Sequence, residues 1–207
     1  AGGGRTSKFV KGRKANAKAK KKVVALYGDD VLVESLDGLQ FELSSASFFQ
    51  TNTKQAETLV RRVRDACGFS GNKTEIVLDL FCGAGTLGLS VASEASRVMG
   101  WEVVPEAVED AKRNAEINGI VNADFYRVNL AKLNASKGAQ GLLKTADGRT
   151  LPMPDIVITD PARPGMDAAL IDILRKIGAK RIVYVSCNPS TQARDLLALT
   201  SSSTGPG

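Results

Sequence analysis

The sequence predicts a doubly wound α/β fold, a Rossmann-like parallel sheet preceded by a small β-meander. Two observations lead there. From Glu75 onward, short apolar runs (Ile76–Phe81, Asp155–Thr159, Arg181–Ser186) alternate with amphipathic helical stretches, the pattern of parallel strands covered on both faces. The glycines and other unusual residues cluster just after those runs, where ligands bind in such sheets.

Residues 1–22 hold nine basic residues and no acid, which accounts for the formal charge of +6, since the remainder carries 19 basic and 22 acidic residues. A segment so poor in large apolar groups is expected to be a disordered basic tail. It reads equally as a contact for RNA phosphates, sensitive to salt, or as a solvated linker. Residues 23–50 read as the meander: Val23–Tyr27, Val31–Leu36 and Leu39–Leu43, separated by Gly28-Asp29-Asp30 and Asp37-Gly38. The α/β domain is placed at 51–199. It opens with a helix over 52–66, where Ala56, Leu59, Val60 and Val63 share a face and Asn52 or Thr53 can cap. Helices follow at Thr86–Ala95, at Pro105–Asn118 with proline in its first position, and at Asp167–Ile177; another begins near Ser190. Extended segments are expected at Arg97–Val103 and Ala123–Leu130. Residues 131–154 read as a helix start and a polar loop insertion, and 200–207 as a low-complexity end.

Composition excludes several classes. No run approaches the roughly 18 uninterrupted apolar residues of a membrane span, so no membrane partner is expected. The chain has no histidine, which rules out a Ser-His-Asp triad and histidine-ligated zinc. Proton transfer falls to Asp, Glu, Lys, Tyr or water. Cys67, Cys82 and Cys187 are too widely spaced for a metal site, and their odd number argues against a disulfide framework. An intracellular, reducing compartment is expected, whether cytoplasm, nucleus or organelle. The oligomeric state stays open.

Three motifs carry chemistry. Gly83, Gly85 and Gly88 form G-x-G-x-x-G between a strand and a helix, and Glu102 ends the next strand. Glycines admit a nucleotide close to the backbone, and the acid accepts hydrogen bonds from ribose hydroxyls. This pattern alone fits NAD, FAD or S-adenosylmethionine. Asp79 stands just before the glycines, and a carboxylate there attracts the cationic methionine end of S-adenosylmethionine while repelling a pyrophosphate. The second motif, T-D-P-A-R-P-G (Thr159–Gly165), presents Asp160 from a loop stiffened by the following proline; Arg163 is suited to a phosphate or to Asp160. In the third, V-S-C-N-P-S-T (Val185–Thr191), Cys187 lies between a strand and a helix start. Helix N-termini and nearby cations, here Arg163 or Arg194, favour the nucleophilic thiolate. Cys67 and Cys82 read as inert buried thiols.

Together these motifs, with G-L-Q-F-E-L-S-S-A-S-F-F-Q-T-N-T (Gly38–Thr53), resemble the S-adenosylmethionine-dependent RNA uracil-5-methyltransferases from about Val23 to Asp195. F-F-Q-x-N-T and S-C-N-P are far more specific to that family than G-x-G. The resemblance implies transfer of a methyl group to C5 of a uridine in RNA. It implies an S-adenosylmethionine pocket lined by Gln50, Phe81, Thr86, Glu102, Asn129 and Asp160, with Asp79, Gly83 and Gly85 in the loop beside it. Cys187 is the implied nucleophile. The substrate expected is tRNA rather than ribosomal RNA, because the iron–sulfur cysteines of some members have no counterpart in the sequence. Members place a general-base glutamate beyond the cysteine, and no residue here is assigned that role. Nor are the closing strands of the sheet found, so the sequence is expected to be a fragment, truncated at both ends, with an incomplete sheet. Three other readings stand beside this one: a non-catalytic RNA-binding remnant; an NAD-dependent oxidoreductase, which leaves Asp79 and Cys187 without a role; and an amino-group methyltransferase, whose Pro-Pro-aromatic signature is replaced here by Pro161-Ala162-Arg163.

Overall fold

A computed structural model describes residues 31–44, 48–133, 143–144 and 148–201. The basic tail, the Val23–Tyr27 stretch, the turn at residues 28–30 and residues 202–207 lie outside the described residues.

Among the described residues, the central sheet has five parallel strands: β3 (Ile76–Leu80), β4 (Arg97–Glu102), β5 (Ala123–Arg127), β6 (Ile156–Thr159) and β7 (Arg181–Tyr184). Their order is β5-β4-β3-β6-β7, so the winding reverses between β3 and β6. The strands alternate between two cores. Val77, Val98, Ile156 and Ile158 face one, shared with α1 (Thr53–Cys67), α2 (Thr86–Val91) and α3 (Pro105–Ile117). Leu78, Leu80, Met99, Trp101 and Val157 face the other, packed against α4 (Ala168–Ile177). Burial on both faces is why the strands read as unbroken apolar runs. A last helix, α5 (Pro189–Thr200), follows β7, which is an edge of the sheet. Among the described residues no helix is long and apolar enough to cross a membrane.

Ahead of the sheet, β1 (Val31–Leu36) and β2 (Leu39–Ser44) pair antiparallel around Asp37-Gly38. Both turn residues have positive φ (49° and 84°), as a two-residue hairpin turn of this hand requires. Two strands alone are marginal, and this pair is held from outside. The amides of Gln40, Glu42 and Ser44 donate to Asn118 Oδ1, Asn114 Oδ1 and Asp110 Oδ2 of α3 and its cap, at 2.9, 2.7 and 3.0 Å. Four helical residues rise about 6 Å and two strand residues about 6.7 Å, so one stripe of α3 tracks alternate amides of β2. Leu36, Phe41 and Leu43 of the hairpin join the core beneath α1 and α3.

Several elements are shorter than their periodicity suggests. Phe81 leaves β3 with φ 60°. The helix expected to reach Ala95 stops at Val91, because Asn122 Nδ2 holds the carbonyls of Ala92 and Ala95 in a turn, at 2.9 and 3.0 Å. The segment expected to stay extended to Leu130 ends at Arg127, followed by a single 3-10 turn, Leu130–Lys132, that buries Leu130. In α1 the stripe runs through Ala56, Val60, Val63 and Cys67, with Leu59 only half-buried beside it. The polar excursion is pinned where described: Leu143 and Leu151 are buried, with a 2.6 Å backbone hydrogen bond between them.

Candidate active site

The carboxyl ends of β4, β3, β6 and β7 lead into a cavity of about 720 Å³, lined among others by Gln50, Asp79, Phe81, Gly83, Thr86, Glu102, Asp160 and Cys187.

Asp79 falls on the same face of β3 as Val77, toward α2, and is almost wholly buried. Its Oδ2 accepts from the Gly88 amide at 2.8 Å, while Oδ1 has no hydrogen-bond partner. Burial pushes its pKa up to about 8; the charges of Asp160 and Glu102 add to the rise and the Gly88 amide opposes it. Glu102, at the end of β4, ties the neighbouring turns together. Oε2 accepts from Gly83 N at 3.2 Å, and Oε1 accepts from Val103 N and Val104 N at 2.7 and 2.9 Å. Asp160 follows β6 directly and precedes buried Pro161, and burial raises its carboxyl above the usual range. The left-handed backbone at Phe81, uncommon without glycine, breaks β3 at the cavity.

Cys187 lies between β7 and α5. Ser186 Oγ accepts from Asn188 N at 3.0 Å, and Asn188 Oδ1 caps α5 by accepting from Ser190 N at 3.1 Å. The thiol is therefore carried on a short turn immediately before a capped helix. Of the three cysteines it is the exposed one. Burial pushes Cys67 up to about 12 and Cys82 well above its ordinary value.

Two residues expected at the site are not among those that line this cavity. Gly85 caps the start of α2, and a Cβ there would meet Phe125 at 3.0 Å, so it packs inward and does not line the cavity. Asn129 is exposed beyond β5, the edge strand two places from β3, and opens the 3-10 turn. Arg194, a candidate cation for the thiol, instead binds Asp195 at 2.7 Å and the carbonyls of Pro164 and Met166. Arg163 lines the cavity and is exposed. Conversely, residue patterns do not reveal the apolar wall formed by Leu36, Phe48, Phe49, Leu59 and Val60. Only Phe48 and Phe49 carry a signal, as an aromatic pair beside Gln50; Phe48 is 74% exposed, unusual for phenylalanine. Leu36 reaches the cavity through the docking of the hairpin.

Fold and cavity define a class: doubly wound α/β proteins with a nucleotide-type site beside the switch point between β3 and β6, here with an exposed thiol lining it. Comparison with known proteins narrows the class. A family model described as tRNA (Uracil-5-)-methyltransferase matches residues 13–204. An uncharacterized RNA methyltransferase of Porphyromonas gingivalis is 43% identical over 177 residues, which are 86% of this chain and 36% of that protein. A second, from Enterococcus faecalis, is 40% identical with the same coverage. Among solved structures, the Pyrococcus abyssi tRNA (uracil-54, C5)-methyltransferase in complex with S-adenosyl-L-homocysteine superposes with a TM-score of 0.67 and 34% identity, covering 84% of this chain and 39% of that one. The chain belongs to the tRNA (uracil-5-)-methyltransferase family. It spans about a third of the length of the curated relatives it matches.

Proposed function

We propose that this chain forms the S-adenosylmethionine-binding core of an enzyme that methylates C5 of a uridine in RNA, with tRNA as the substrate, through a covalent bond between Cys187 and C6. The observation that carries the reading is the exposed thiol of Cys187 on the same cavity as the carboxyl groups of Asp79, Glu102 and Asp160.

The residues present fit the methyl donor. A buried carboxyl with an unpartnered oxygen, Asp79, suits a cationic ligand, which would draw it into its charged form, whereas an anionic dinucleotide would meet a cluster of three acidic groups. Glu102, already fixed by three backbone amides, two on Oε1 and one on Oε2, offers the remaining acceptor site of Oε2 to a ribose hydroxyl. Gln50, Phe81 and Thr86 complete the pocket, with Phe81 and the apolar wall available for the flat face of the base. Gly83 leaves room for close approach, while Gly85 and Asn129 are not among the residues that line the cavity. When bound, S-adenosylmethionine supplies an electrophilic methyl group.

Uracil C5 is a weak nucleophile, and Cys187 changes that. Its thiolate adds to C6, forming a C–S bond and moving the C5=C6 electron pair into an enolate with negative charge on C5 and O4. The C5 electron pair then forms a bond to the methyl carbon as the methyl–sulfur bond of the donor breaks, its electron pair staying on the sulfur of a neutral thioether. Removal of the C5 proton by a base re-forms the double bond and expels the thiolate. The thiol must meet the face of the pyrimidine, so the uridine has to leave its stack.

The test is a trap. RNA substituted with 5-fluorouridine has no C5 proton to lose, so methylation leaves the protein covalently attached. An adduct that resists denaturation, needs S-adenosylmethionine and disappears in Cys187→Ser supports the reading. Absence of any adduct while S-adenosylmethionine still binds would favour a non-catalytic remnant of the fold.

A further inference from the structure

One buried charge in the molecule has no part in the chemistry above. Asp195, in α5, is wholly buried. Its Oδ2 accepts from Met166 N at 2.7 Å and from the Tyr184 hydroxyl at 2.8 Å; its Oδ1 accepts from Arg194 Nε and Nη2 at 2.8 and 2.7 Å. Arg194 Nη2 also donates to Pro164 O at 2.8 Å and Met166 O at 3.2 Å. Asn188 Nδ2 and Thr191 Oγ1 donate to Arg163 O at 3.3 and 3.2 Å. Gly165 lies against the same network. Its φ is +78°, and a Cβ there would fall 2.5 Å from Asp195 Oδ2 and 2.8 Å from Arg194 Nη2.

Apart from the Tyr184 bond to β7 and the Arg194–Asp195 pair itself, these bonds join the cap and first turns of α5, which starts two residues after Cys187, to the backbone of residues 163–166, in the loop that starts at Asp160. Burial alone would push the Asp195 carboxyl up; the Met166 amide, Tyr184 and Arg194 outweigh it and hold the group below its usual value. The carboxylate is thus charged and fully engaged, and the Arg194 fork bonds to both Asp195 and the loop, a geometry lysine cannot copy.

We infer that Asp195 and Arg194 are positioning residues that lock the Asp160–Met166 loop to the start of α5 and thereby set the Asp160 carboxylate relative to the Cys187 thiol. The inference rests on the reading of Cys187 as the nucleophile. Misplacing a reacting group by about 1 Å can cost on the order of a hundredfold in rate, so the lock acts on the bond-forming step more than on donor binding, which also uses Gln50, Phe81, Thr86 and Glu102.

The experiment compares the wild-type chain with Arg194→Ala, Arg194→Lys and Gly165→Ala. It measures the maximal rate of adduct formation on 5-fluorouridine RNA, S-adenosylmethionine affinity by calorimetry, and amide hydrogen exchange over residues 160–166. Arg194 is more than half exposed, so its variants are expected to fold, and cooperative melting checks this. Arg194→Ala and Gly165→Ala should lower the maximal rate by about tenfold or more, with donor affinity within about threefold and faster exchange at 163–166. Arg194→Lys should fall between, and added guanidinium should partly restore Arg194→Ala. Unchanged rates in both folded variants, or equal losses of rate and donor affinity, would overturn the inference. If the wild-type chain forms no adduct, the nucleophile reading fails by itself. The lock is then judged by exchange, and unaltered exchange at 163–166 in Arg194→Ala overturns it.

Discussion

The Gly88 amide donates to Asp79 Oδ2 at 2.8 Å, and a Cβ on Gly88 would stand 2.9 Å from that same oxygen. Gly88 lies in the first turn of α2, where amides have no partner within the helix. The N-cap, Gly85, has no side chain to supply one. A buried carboxyl group from the neighbouring strand therefore caps this helix from a distance, and glycine at 88 lets the two come together.

That arrangement makes stability depend on pH. With its pKa pushed up to about 8 from 3.8, Asp79 keeps a proton in the folded protein that the unfolded chain releases. The contribution is fully present below about pH 4, declines as pH rises, and is lost once pH passes about 8. Asp79→Asn should remove this slope. It should match the wild type near pH 4 and be more stable at pH 8 by on the order of a few kcal/mol. Thermal unfolding across this range checks it, and identical slopes in the two proteins would contradict it. For a cationic ligand, the wild type should gain affinity as pH rises through about 8, a gain that Asp79→Asn lacks.

The thiols should be separable in the native protein. Cys187 is exposed, whereas Cys67 and Cys82 are buried with raised pKa values, and alkylation needs an accessible thiolate. Iodoacetamide at pH 8 should add one carboxamidomethyl group to the folded chain, at Cys187, and three after denaturation. Intact mass and peptide mapping read the result; rapid native labelling of Cys67 or Cys82 would be incompatible with the packing described.

Asn114 should matter beyond its size. It is wholly buried; its Oδ1 accepts from Glu42 N at 2.7 Å and its Nδ2 donates to Ala84 O at 3.0 Å. One side chain thus joins the hairpin and the glycine turn to α3. Asn114→Ala should destabilise by about 1–3 kcal/mol, the cost of buried groups left unpaired, measured as a lower urea midpoint. Asn114→Asp should not rescue it, since the new carboxylate loses the donor to Ala84 and adds buried charge near Asp110.

Much of this molecule is written locally. Apolar strands buried on both faces show as continuous runs at 76–80 and 156–159, and the partly buried edge strand shows at 181–184. The starts of α1, α3 and α5 follow from Asn52, Pro105 and Asn188-Pro189, because capping and proline geometry depend on adjacent residues. The three motifs are likewise visible because their loops follow directly from strands. The limits of that reading are physical. Where a helix or strand ends depends on who takes its last carbonyls and amides, as Asn122 does for Ala92 and Ala95. Which motif residues share a cavity depends on strand order, and that order sets Glu102 at the end of β4 against the glycine turn that follows β3. Arg194 is visibly a cation, yet its partners are its neighbour Asp195 and carbonyls about thirty residues away. The sequence by itself determined the chemical types available, the parallel α/β frame and the family. Only the tertiary structure decided which groups meet and, through their removal from water, whether a carboxyl such as Asp79 keeps its proton while Asp195 keeps its charge.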